Sequence, residues 1–406
     1  MTKHRWNDSL PANWLWVEAQ DCMDVRDGTH DSPKPVSEGI PLITSKNLIG
    51  GFLDFSTCSF ISEEDHLSIS KRSKVDNGDI LYAMIGTIGN PVIVNKTKEF
   101  SIKNVALFKC SNDCVFNKYI YHFLNSSLAE RQLKRKARGG TQKFISLGNL
   151  RELEIPLPPL EEQKRIASIL DKADAIRQKR EQAIKLADDF LRATFLEMFG
   201  DPVENPKGWK VKPLISLIVG KLQNGAYFPK DKYSKDGVEM VHMADAFYDV
   251  IQRGSLKRVQ ASDADIVKYS LSHEDLMISR RSLNYEGAAK PSLIPHSDEP
   301  LIFESSMIRI TPDKKQIDKL FLFYYLTDPL VKEHFIRKFV TGATIKGINQ
   351  KNLEQVRIIV PPLELQKEFS YIVHALEKNK KKLNESEILS IEQFTTISQR
   401  AFLGQL

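Results

Sequence analysis

Apolar residues along this chain follow two kinds of pattern. From residue 1 to about 155, and again from about 201 to 358, short apolar runs such as Ile40–Ile43 are separated by turn signals. Runs of that length, bounded by turn residues, predict β-strands. Helical spacing appears around Asn117–Lys136 and Ile317–Phe339, so each region is predicted to be a mixed α and β domain. The other predicted strands are Asp79–Ile85, Pro91–Val94, Val105–Phe108, Val238–Val241, Asp275–Ser279 and Ser306–Ile310.

Two longer segments carry an uninterrupted helical stripe. Between Leu160 and Phe199 there is no proline or glycine, and apolar residues recur at steps of three and four. Pro158 and Pro159 stand where a helix tolerates proline, and a glycine and a proline follow the segment. A second helix is predicted from Leu363 to about residue 403. A helix of roughly 40 residues would be about 60 Å long.

Neither long helix could bury its stripe alone. We expect the two helices to pack on each other as an antiparallel coiled pair across a pseudo-twofold axis, with the domains at opposite ends. The alternative is that each helix folds back onto its own domain. The predicted fold class is α+β, with domain 1 over 1–155, a helical spacer over 156–200, domain 2 over 201–358 and a C-terminal spacer over 359–406.

The two halves are related by a repeat. Residues 139–170 align without a gap to residues 203 positions later, with 14 identities in 32 pairs, where ordinary residue frequencies give about two. Gly139 maps to Gly342, for example, and Gln163 to Gln366. The period is too long for a solenoid, so the chain is a tandem duplication of a domain-sized unit.

Composition and charge narrow the function classes. The chain has 41% hydrophobic and 27% charged residues and a net charge of +6, which is ordinary for a globular protein and weakly favours a polyanionic partner. There is no transmembrane-length apolar run and no apolar signal peptide, and the four cysteines are expected to be reduced thiols. We expect a cytoplasmic protein without a metal site, because the Cys110 and Cys114 pair has no second pair to complete a zinc set.

The repeated motifs resemble a known family. Gly78-Asp79-Ile80-Leu81, the 139–149 turn region and Pro158-Pro159-Leu160-Glu161-Glu162-Gln163 are similar to the specificity (S) subunit of type I restriction-modification systems. In the second half, 342–352 and the Pro361-Pro362-Leu363-Glu364 run with Gln366 carry the same likeness, while Ser279–Gly287 diverges.

This resemblance implies a DNA-binding subunit without catalysis of its own. Two target recognition domains would read the two parts of a split DNA sequence, and the paired helices would set the gap between them. Two modification (methyltransferase) subunits would bring S-adenosylmethionine, restriction subunits would bring ATP and magnesium, and this chain would bind no cofactor itself. The residues agree with this expectation, because no phosphate-binding loop, dinucleotide-binding turn, zinc-protease helix or adenine-methylation motif occurs.

Basic residues beside glycine turns are the candidates for contact with DNA phosphates. Such cations neutralise phosphates and release counterions. The alternatives are a solvated helix end, where the helix dipole favours cations, and a turn that is retained for structure. The candidates are Arg135, Lys136, Arg138, Gly139, Thr141 and Lys143 in the first half and Lys338, Thr341, Gly342, Thr344 and Lys346 in the second.

Base reading is expected from polar loops that differ between the halves. Arginine pairs with guanine, and asparagine or glutamine pairs with adenine, in the major groove. Each such residue could instead be an ordinary hydrogen-bonded loop residue. The candidates are Ser45, Lys46, Asn47, Gln223, Asn224, Tyr227, Arg280, Arg281 and Asn284.

Two other functions stay open on the sequence alone. A non-catalytic protein scaffold would use the paired helices as its interaction surface and would bind DNA weakly, with little dependence on salt. A self-contained nuclease or methyltransferase would need a catalytic motif that this sequence does not contain.

Overall fold

The chain forms two compact units. The computed structural model describes residues 10–136 and 144–406. Unit 1 comprises the residues up to 182 together with 384–406, and unit 2 comprises 183–383. Each unit therefore contains one mixed α and β region, the first half of one long helix and the last half of the other.

Unit 1 is built on a four-stranded sheet and a three-stranded sheet. Its strands are β1 (Leu15–Glu18), β2 (Asp24–Asp27), β3 (Ile40–Ile43), β4 (Leu48–Ile49), β5 (Phe52–Leu53), β6 (Ser59–Ile61), β7 (Ile80–Ala83), β8 (Gly89–Ile93), β9 (Ser101–Ile102), β10 (Val105–Lys109) and β11 (Glu154–Leu157). Its helices are α1 (Ala19–Cys22), α2 (Glu63–Ser73), α3 (Asn117–Leu124), α4 (Ser127–Lys136), α5 (Leu147–Arg151) and the long α6 (Leu160–Phe199). The strand orders are β2-β10-β7-β8, all antiparallel, and β6-β3-β9, in which β3 and β9 are parallel.

Unit 2 repeats this topology. Its strands are β12 (Lys210–Pro213), β13 (Gln223–Asn224), β14 (Tyr233–Val241), β15 (Lys257–Val259), β16 (Leu276–Ser279), β17 (Arg281–Ser282), β18 (Pro291–Leu293), β19 (Leu301–Phe303), β20 (Met307–Ile310), β21 (Lys346–Gly347) and β22 (Arg357–Val360). Its helices are α7 (Asp263–Tyr269), α8 (Lys319–Thr327), α9 (Pro329–Val331), α10 (Gln350–Glu354) and the long α11 (Leu363–Phe402). The sheets have the orders β13-β20-β16-β18 and β15-β14-β19, again with one parallel pair, β14 and β19.

The central strands are apolar along their whole length because both of their faces are covered. In β7, Ile80 and Tyr82 belong to one apolar core together with residues of α3 and α6. Leu81 and Ala83 point to the other face and belong to a second core. Successive side chains of a strand point to opposite faces of the sheet. Because each face of β7 packs against an apolar core, all four of its residues are buried.

The long helices run antiparallel within each unit. In unit 1, Arg165 donates to the Leu406 carbonyl at 3.1 Å, and Arg180 donates to the Ser386 carbonyl at 2.8 Å. In unit 2, Lys380 of α11 pairs with Asp188 of α6 at 2.6 Å. The predicted bounds of α6 are confirmed, and α11 ends one residue before the predicted end. The first turns of each long helix also pack on the domain that precedes it. The long helices therefore pack both on each other and on their own domains.

The repeated glutamine fixes the start of each long helix. Gln163 accepts the backbone N–H of Phe116 at 2.8 Å and donates to the Pro158 carbonyl at 2.9 Å. Gln366 accepts the backbone N–H of Asp318 at 2.8 Å and donates to a proline carbonyl at 2.8 Å. Both glutamines are fully buried. The glutamine thus ties each helix to the loop that precedes α3 or α8, which explains why the repeat retains it.

Replacing Gln366 by leucine is expected to lower the free energy of unfolding by about 1–3 kcal/mol, because the buried N–H of Asp318 would lose its acceptor. Chemical denaturation measures this loss. The matched control is Gln355→Leu, since Gln355 is an exposed glutamine in the same unit. Equal stability of the two variants would show that the buried amide contributes nothing.

The two shorter helices predicted from the sequence are each broken in the structure, so a continuous helix was the wrong prediction. In unit 1, the Ser126 hydroxyl accepts the backbone N–H of Ala129 at 3.2 Å, and this cap starts α4 as a separate helix. In unit 2, Asp328 accepts the N–H of Leu330 at 2.8 Å ahead of α9. Pro329 occupies the first turn of α9, where its missing N–H costs nothing.

Candidate nucleic-acid interface

In unit 2 the repeated glycine-bearing segment is a tight turn. Thr341 and Gly347 exchange both backbone hydrogen bonds, at 2.9 and 2.8 Å, and so close the turn. Gly342 has φ of +110°, and a Cβ added there would lie 1.9 Å from the Ile345 carbonyl oxygen. Lys346 donates across the turn to the Gly342 carbonyl at 2.8 Å. Only glycine fits this position without distortion.

The turn pairs with the loop that the sequence singled out for base reading. Strand β21 is antiparallel to β17, so that Arg281 lies opposite Gly347 and Ser282 lies opposite Lys346. The N–H of Ile348 donates to the Arg280 carbonyl at 3.0 Å. Residues predicted to contact phosphates and residues predicted to read bases therefore form one edge, although about 60 positions separate them in the chain.

Hydrogen bonds connect the 223–227 loop to the same edge. Gln350, just after the turn, donates to the Asn224 side-chain oxygen at 3.1 Å. Arg280 donates to the Ser305 carbonyl at 3.3 Å, and the N–H of Ser305 donates to the Ala226 carbonyl at 2.8 Å. The unit 2 edge is defined here as Asn224, Tyr227, Arg280, Arg281, Asn284, Lys338, Thr341, Gly342, Thr344 and Lys346.

The unit 2 edge presents basic and aromatic side chains to solvent. Tyr227 is 82% exposed, and Arg281, Lys338 and Thr344 are also exposed. Asn284 is exposed but also caps its own loop, because its side-chain oxygen accepts from the N–H of Gly287 at 2.9 Å. An exposed set of this kind suits contact with a polyanion that also offers flat aromatic faces.

Lys332 is a partly buried lysine that contacts the loop following Arg281. The Lys332 ammonium donates to the Glu286 carbonyl, and the Lys332 carbonyl accepts from the Tyr285 hydroxyl at 2.9 Å. Burial, with a smaller contribution from the charge of Lys290, lowers the pKa of Lys332 from its ordinary 10.5 to about 8, while Glu286 opposes the shift. The charged form is therefore disfavoured in the folded protein.

This lowered pKa predicts a pH-dependent difference in stability between the wild type and Lys332→Met. The unfolded chain binds more protons at this site between about pH 8 and 10.5, so the wild type gains stability as the pH rises through that window. The free energy of unfolding of the methionine variant relative to the wild type should therefore be lower at pH 9.5 than at pH 7. Urea denaturation of both proteins at pH 7 and pH 9.5 measures it, and a pH-independent difference would contradict the lowered pKa.

Two of the sequence candidates have side chains that are hydrogen-bonded within the fold. Asn47 is 2% exposed, and its side chain accepts from the N–H of Thr44 at 2.9 Å and donates to the Asp54 carbonyl at 3.0 Å. Gln223 donates to the Lys268 carbonyl at 2.8 Å and accepts from Arg309. Both ends of each amide are bonded within the fold, as the alternative of an ordinary hydrogen-bonded loop residue expects, and base reading by these two residues stays a prediction.

Unit 1 has the same framework around its own edge. The N–H of Ile145 donates to the Met84 carbonyl at 2.9 Å, and Ile85 bridges Phe144. These contacts match those of Ile348 with Arg280 and of Gly347 with Arg281. Of the unit 1 candidates, Ser45 is half-buried, Lys46 and Arg135 are exposed, and Lys136 ends α4. Arg138, Gly139, Thr141 and Lys143 lie outside the described residues.

Sequence reasoning missed two residues of unit 2, one that supports the edge and one at the end of the loop that begins with Arg281. Gln350 supports Asn224, as described above, and Lys290 donates to the Phe247 carbonyl and pairs with Asp249 at 3.1 Å. Neither residue is retained in the other half, where Leu147 and Asn90 stand at the matching places. No repeat signal marked them.

Among residues 10–136 and 144–406, no three or more His, Cys, Asp and Glu side chains cluster closely enough to hold a metal ion. In the same part of the chain, every helix is too short or too polar to cross a membrane.

The chain matches a known family over most of its length. The family model described as the type I restriction modification DNA specificity domain matches twice, over residues 31–186 and 206–393. The chain therefore belongs to the type I restriction-modification DNA specificity family. Its members are DNA-recognition subunits without catalysis of their own. This confirms the resemblance drawn from the repeated motifs.

Individual relatives agree with the family assignment. The MjaVIII type I restriction enzyme specificity subunit of Methanocaldococcus jannaschii is 25% identical over 313 residues, covering 73% of this chain and 72% of that protein. The EcoKI specificity subunit of Escherichia coli K12 is 22% identical over 433 residues, covering 98% and 90%.

Solved structures share the fold. The S subunit of a type I system from M. genitalium matches with a TM-score of 0.57 and 15% identity, covering 98% of each chain. A chain from a study of assembly and conformational transition in a type I R-M system matches with a TM-score of 0.56 and 18% identity, covering 98% of this chain and 100% of that one. These likenesses confirm the α+β fold class with two long helices.

Proposed function

We propose that this specificity subunit recognises a DNA target in two separated parts, with one unit reading each part. The observation that carries the proposal is the unit 2 edge. There the 341–347 turn and the Arg280–Asn284 loop are hydrogen-bonded into one surface. The fold that carries this surface occurs twice in the chain. Duplicated frameworks with different edges suit two half-sites of different sequence.

Each part of the edge has a separate role in this proposal. The 341–347 turn and Lys338 contact phosphates and set the register of the duplex, which carries no sequence information. Arg281 and Asn284 face base edges, where arginine favours guanine and asparagine favours adenine. Tyr227 offers a flat face to a base or sugar. In unit 1, Arg135 takes the position of Lys338, and Ser45 and Lys46 read bases from a different loop.

We further propose that the chain works in a complex. Two modification subunits would dock on it and carry S-adenosylmethionine, and restriction subunits that use ATP and magnesium would join them. The duplicated fold supports two copies of one partner, because two similar frameworks offer two similar docking places. Mass measurement of the chain mixed with modification subunit tests this stoichiometry, and a single bound copy would contradict it.

Selection from a random duplex pool tests the recognition itself. The full-length chain, alone and with modification subunit, should enrich two short motifs at a constant separation. Binding should weaken steeply with salt, because phosphate contacts release counterions. Enrichment of one contiguous motif would contradict recognition of a two-part target. If no motif is enriched and binding does not depend on salt, the scaffold function is favoured.

An arginine substitution tests the edge. Arg281→Ala should lose selectivity at one base pair of one half-site, at a cost of about 1–3 kcal/mol, and leave the other half-site unchanged. The matched control is Arg192→Ala, since Arg192 is an exposed arginine of α6 in the same unit. If both variants select the same sequence as the wild type, Arg281 is not a base reader.

A further inference from the structure

Each unit exposes large apolar side chains at the same place in its fold. In unit 1, the β4–β5 hairpin presents Ile49 at 55% and Phe52 at 72% exposure. In unit 2, the segment at the matching place presents Phe247 at 55% and Tyr248 at 60% exposure. These two pairs are called the apolar tips of unit 1 and unit 2.

The two tips are equivalent because the same local structure precedes them. A short 3-10 helix leads into each tip, Ser45–Asn47 in unit 1 and Met243–Phe247 in unit 2. Asn47 closes the first by accepting the N–H of Thr44 at 2.9 Å, and Asp245 closes the second by accepting the N–H of His242 at 2.9 Å. Each 3-10 helix follows the strand that pairs in parallel, β3 or β14.

A side chain at the start of β8, or just before β18, donates to the backbone at or beside the tip of its unit. Asn90 donates to the Leu48 carbonyl at 3.4 Å in unit 1. Lys290 donates to the Phe247 carbonyl in unit 2. Asn90 and Lys290 are matching residues, since each directly precedes the proline of β8 or β18. In unit 2, the loop that ends at Lys290 begins with Arg281 on the unit 2 edge.

The amino acids at the tips indicate which partner covers them. A protein partner bound in two equal copies would select similar tips, but one tip has isoleucine and phenylalanine and the other has phenylalanine and tyrosine. Two different half-sites of DNA would select different tips. Lys46, which flanks the unit 1 tip, is exposed, and in unit 2 Lys290 pairs with Asp249, which follows the tip, at 3.1 Å. The exposed cation beside the unit 1 tip suits a polyanion.

We propose that the apolar tip of each unit inserts against the base stack of its half-site and unstacks one base step. This proposal rests on the proposed DNA recognition and adds a residue set that the sequence did not single out. Apolar wedges that enter a base step bend the duplex and make selection depend on how readily that step deforms. The tips would thus add preference for flexible steps to the hydrogen-bond readout of the edges.

Fluorescence of 2-aminopurine tests the insertion. The full-length chain is bound to its selected target, in which 2-aminopurine replaces adenines one at a time. Emission should rise at one step in each half-site, because unstacking relieves quenching. Phe52→Ala should abolish the rise in one half-site only, and Tyr248→Ala in the other only. Each variant should bind about 10-fold more weakly or worse, from loss of a buried aromatic contact.

Three further results decide the proposal. Phe190→Ala, which removes an exposed phenylalanine of α6, should leave emission and affinity unchanged, and Phe52→Leu should retain part of the signal. Tip variants with wild-type affinity and emission on a selected target would overturn the tip proposal while leaving DNA recognition intact. Failure of the wild-type chain to select any target would instead overturn the proposed function.

Discussion

Replacing Phe402 by alanine is expected to destabilise unit 1 by about 3–5 kcal/mol, the range for loss of a fully buried phenylalanine. Phe402 lies near the end of α11, yet its ring contacts Tyr119 at 5.3 Å and Phe123 at 5.6 Å between ring centroids, in the core under α3. It is 1% exposed. A residue near the C-terminal end of α11 is therefore part of the core of unit 1, whose other residues come from the first half of the chain.

Hydrogen exchange read residue by residue measures this effect. Amides of α3 should exchange faster in Phe402→Ala, and amides of β16 in unit 2 should not change. The matched control is Phe190→Ala, which removes the same ring from an exposed position in the other long helix. Equal protection of α3 in both variants would mean that the end of α11 is not required for the unit 1 core.

Replacing Gly342 by alanine is expected to weaken DNA binding by about 5- to 150-fold. The added Cβ would lie 1.9 Å from the Ile345 carbonyl oxygen, at a backbone φ of +110°. The turn must therefore open, and restoring its shape on DNA costs about 1–3 kcal/mol. The loss should fall on all sequences alike, because the turn is proposed to contact phosphates rather than bases.

Gly208→Ala is the matched control for this glycine. Gly208 has φ of +65°, and nothing lies within 4 Å of an added Cβ, so that variant carries backbone strain without a clash in the turn. Affinities are measured on the selected target and on an unrelated duplex. Wild-type affinity of Gly342→Ala on both duplexes would remove the 341–347 turn from the proposed phosphate contacts.

The sequence predicted the long-range plan of the fold well, because that plan depends on strong periodic signals. Forty-residue stripes without proline or glycine define α6 and α11 with little ambiguity. The central strands are also confirmed, since runs such as Ile80–Ala83 are apolar throughout and bounded by turns. The repeat added the equivalence of the two halves, which the matching strand orders confirm.

The site was harder to predict, because its parts meet only in the folded unit. Nothing in the sequence indicates that Arg281 pairs with Gly347, since this pairing depends on how two loops lie at a sheet edge. Asn47 shows a related difficulty, because a polar residue in a loop gives no sign in the sequence that its amide is bonded inside the fold. The roles of the candidate residues stay predictions.

The division of the long helices between the units has a consequence for biosynthesis. Unit 1 cannot complete its core until residue 402 has left the ribosome, which is later than every residue of unit 2. The apolar cores of unit 2, among the residues described, contain no residue beyond 383. The half of the protein that is translated first is therefore finished last, and until then its unfilled apolar core is a target for chaperones.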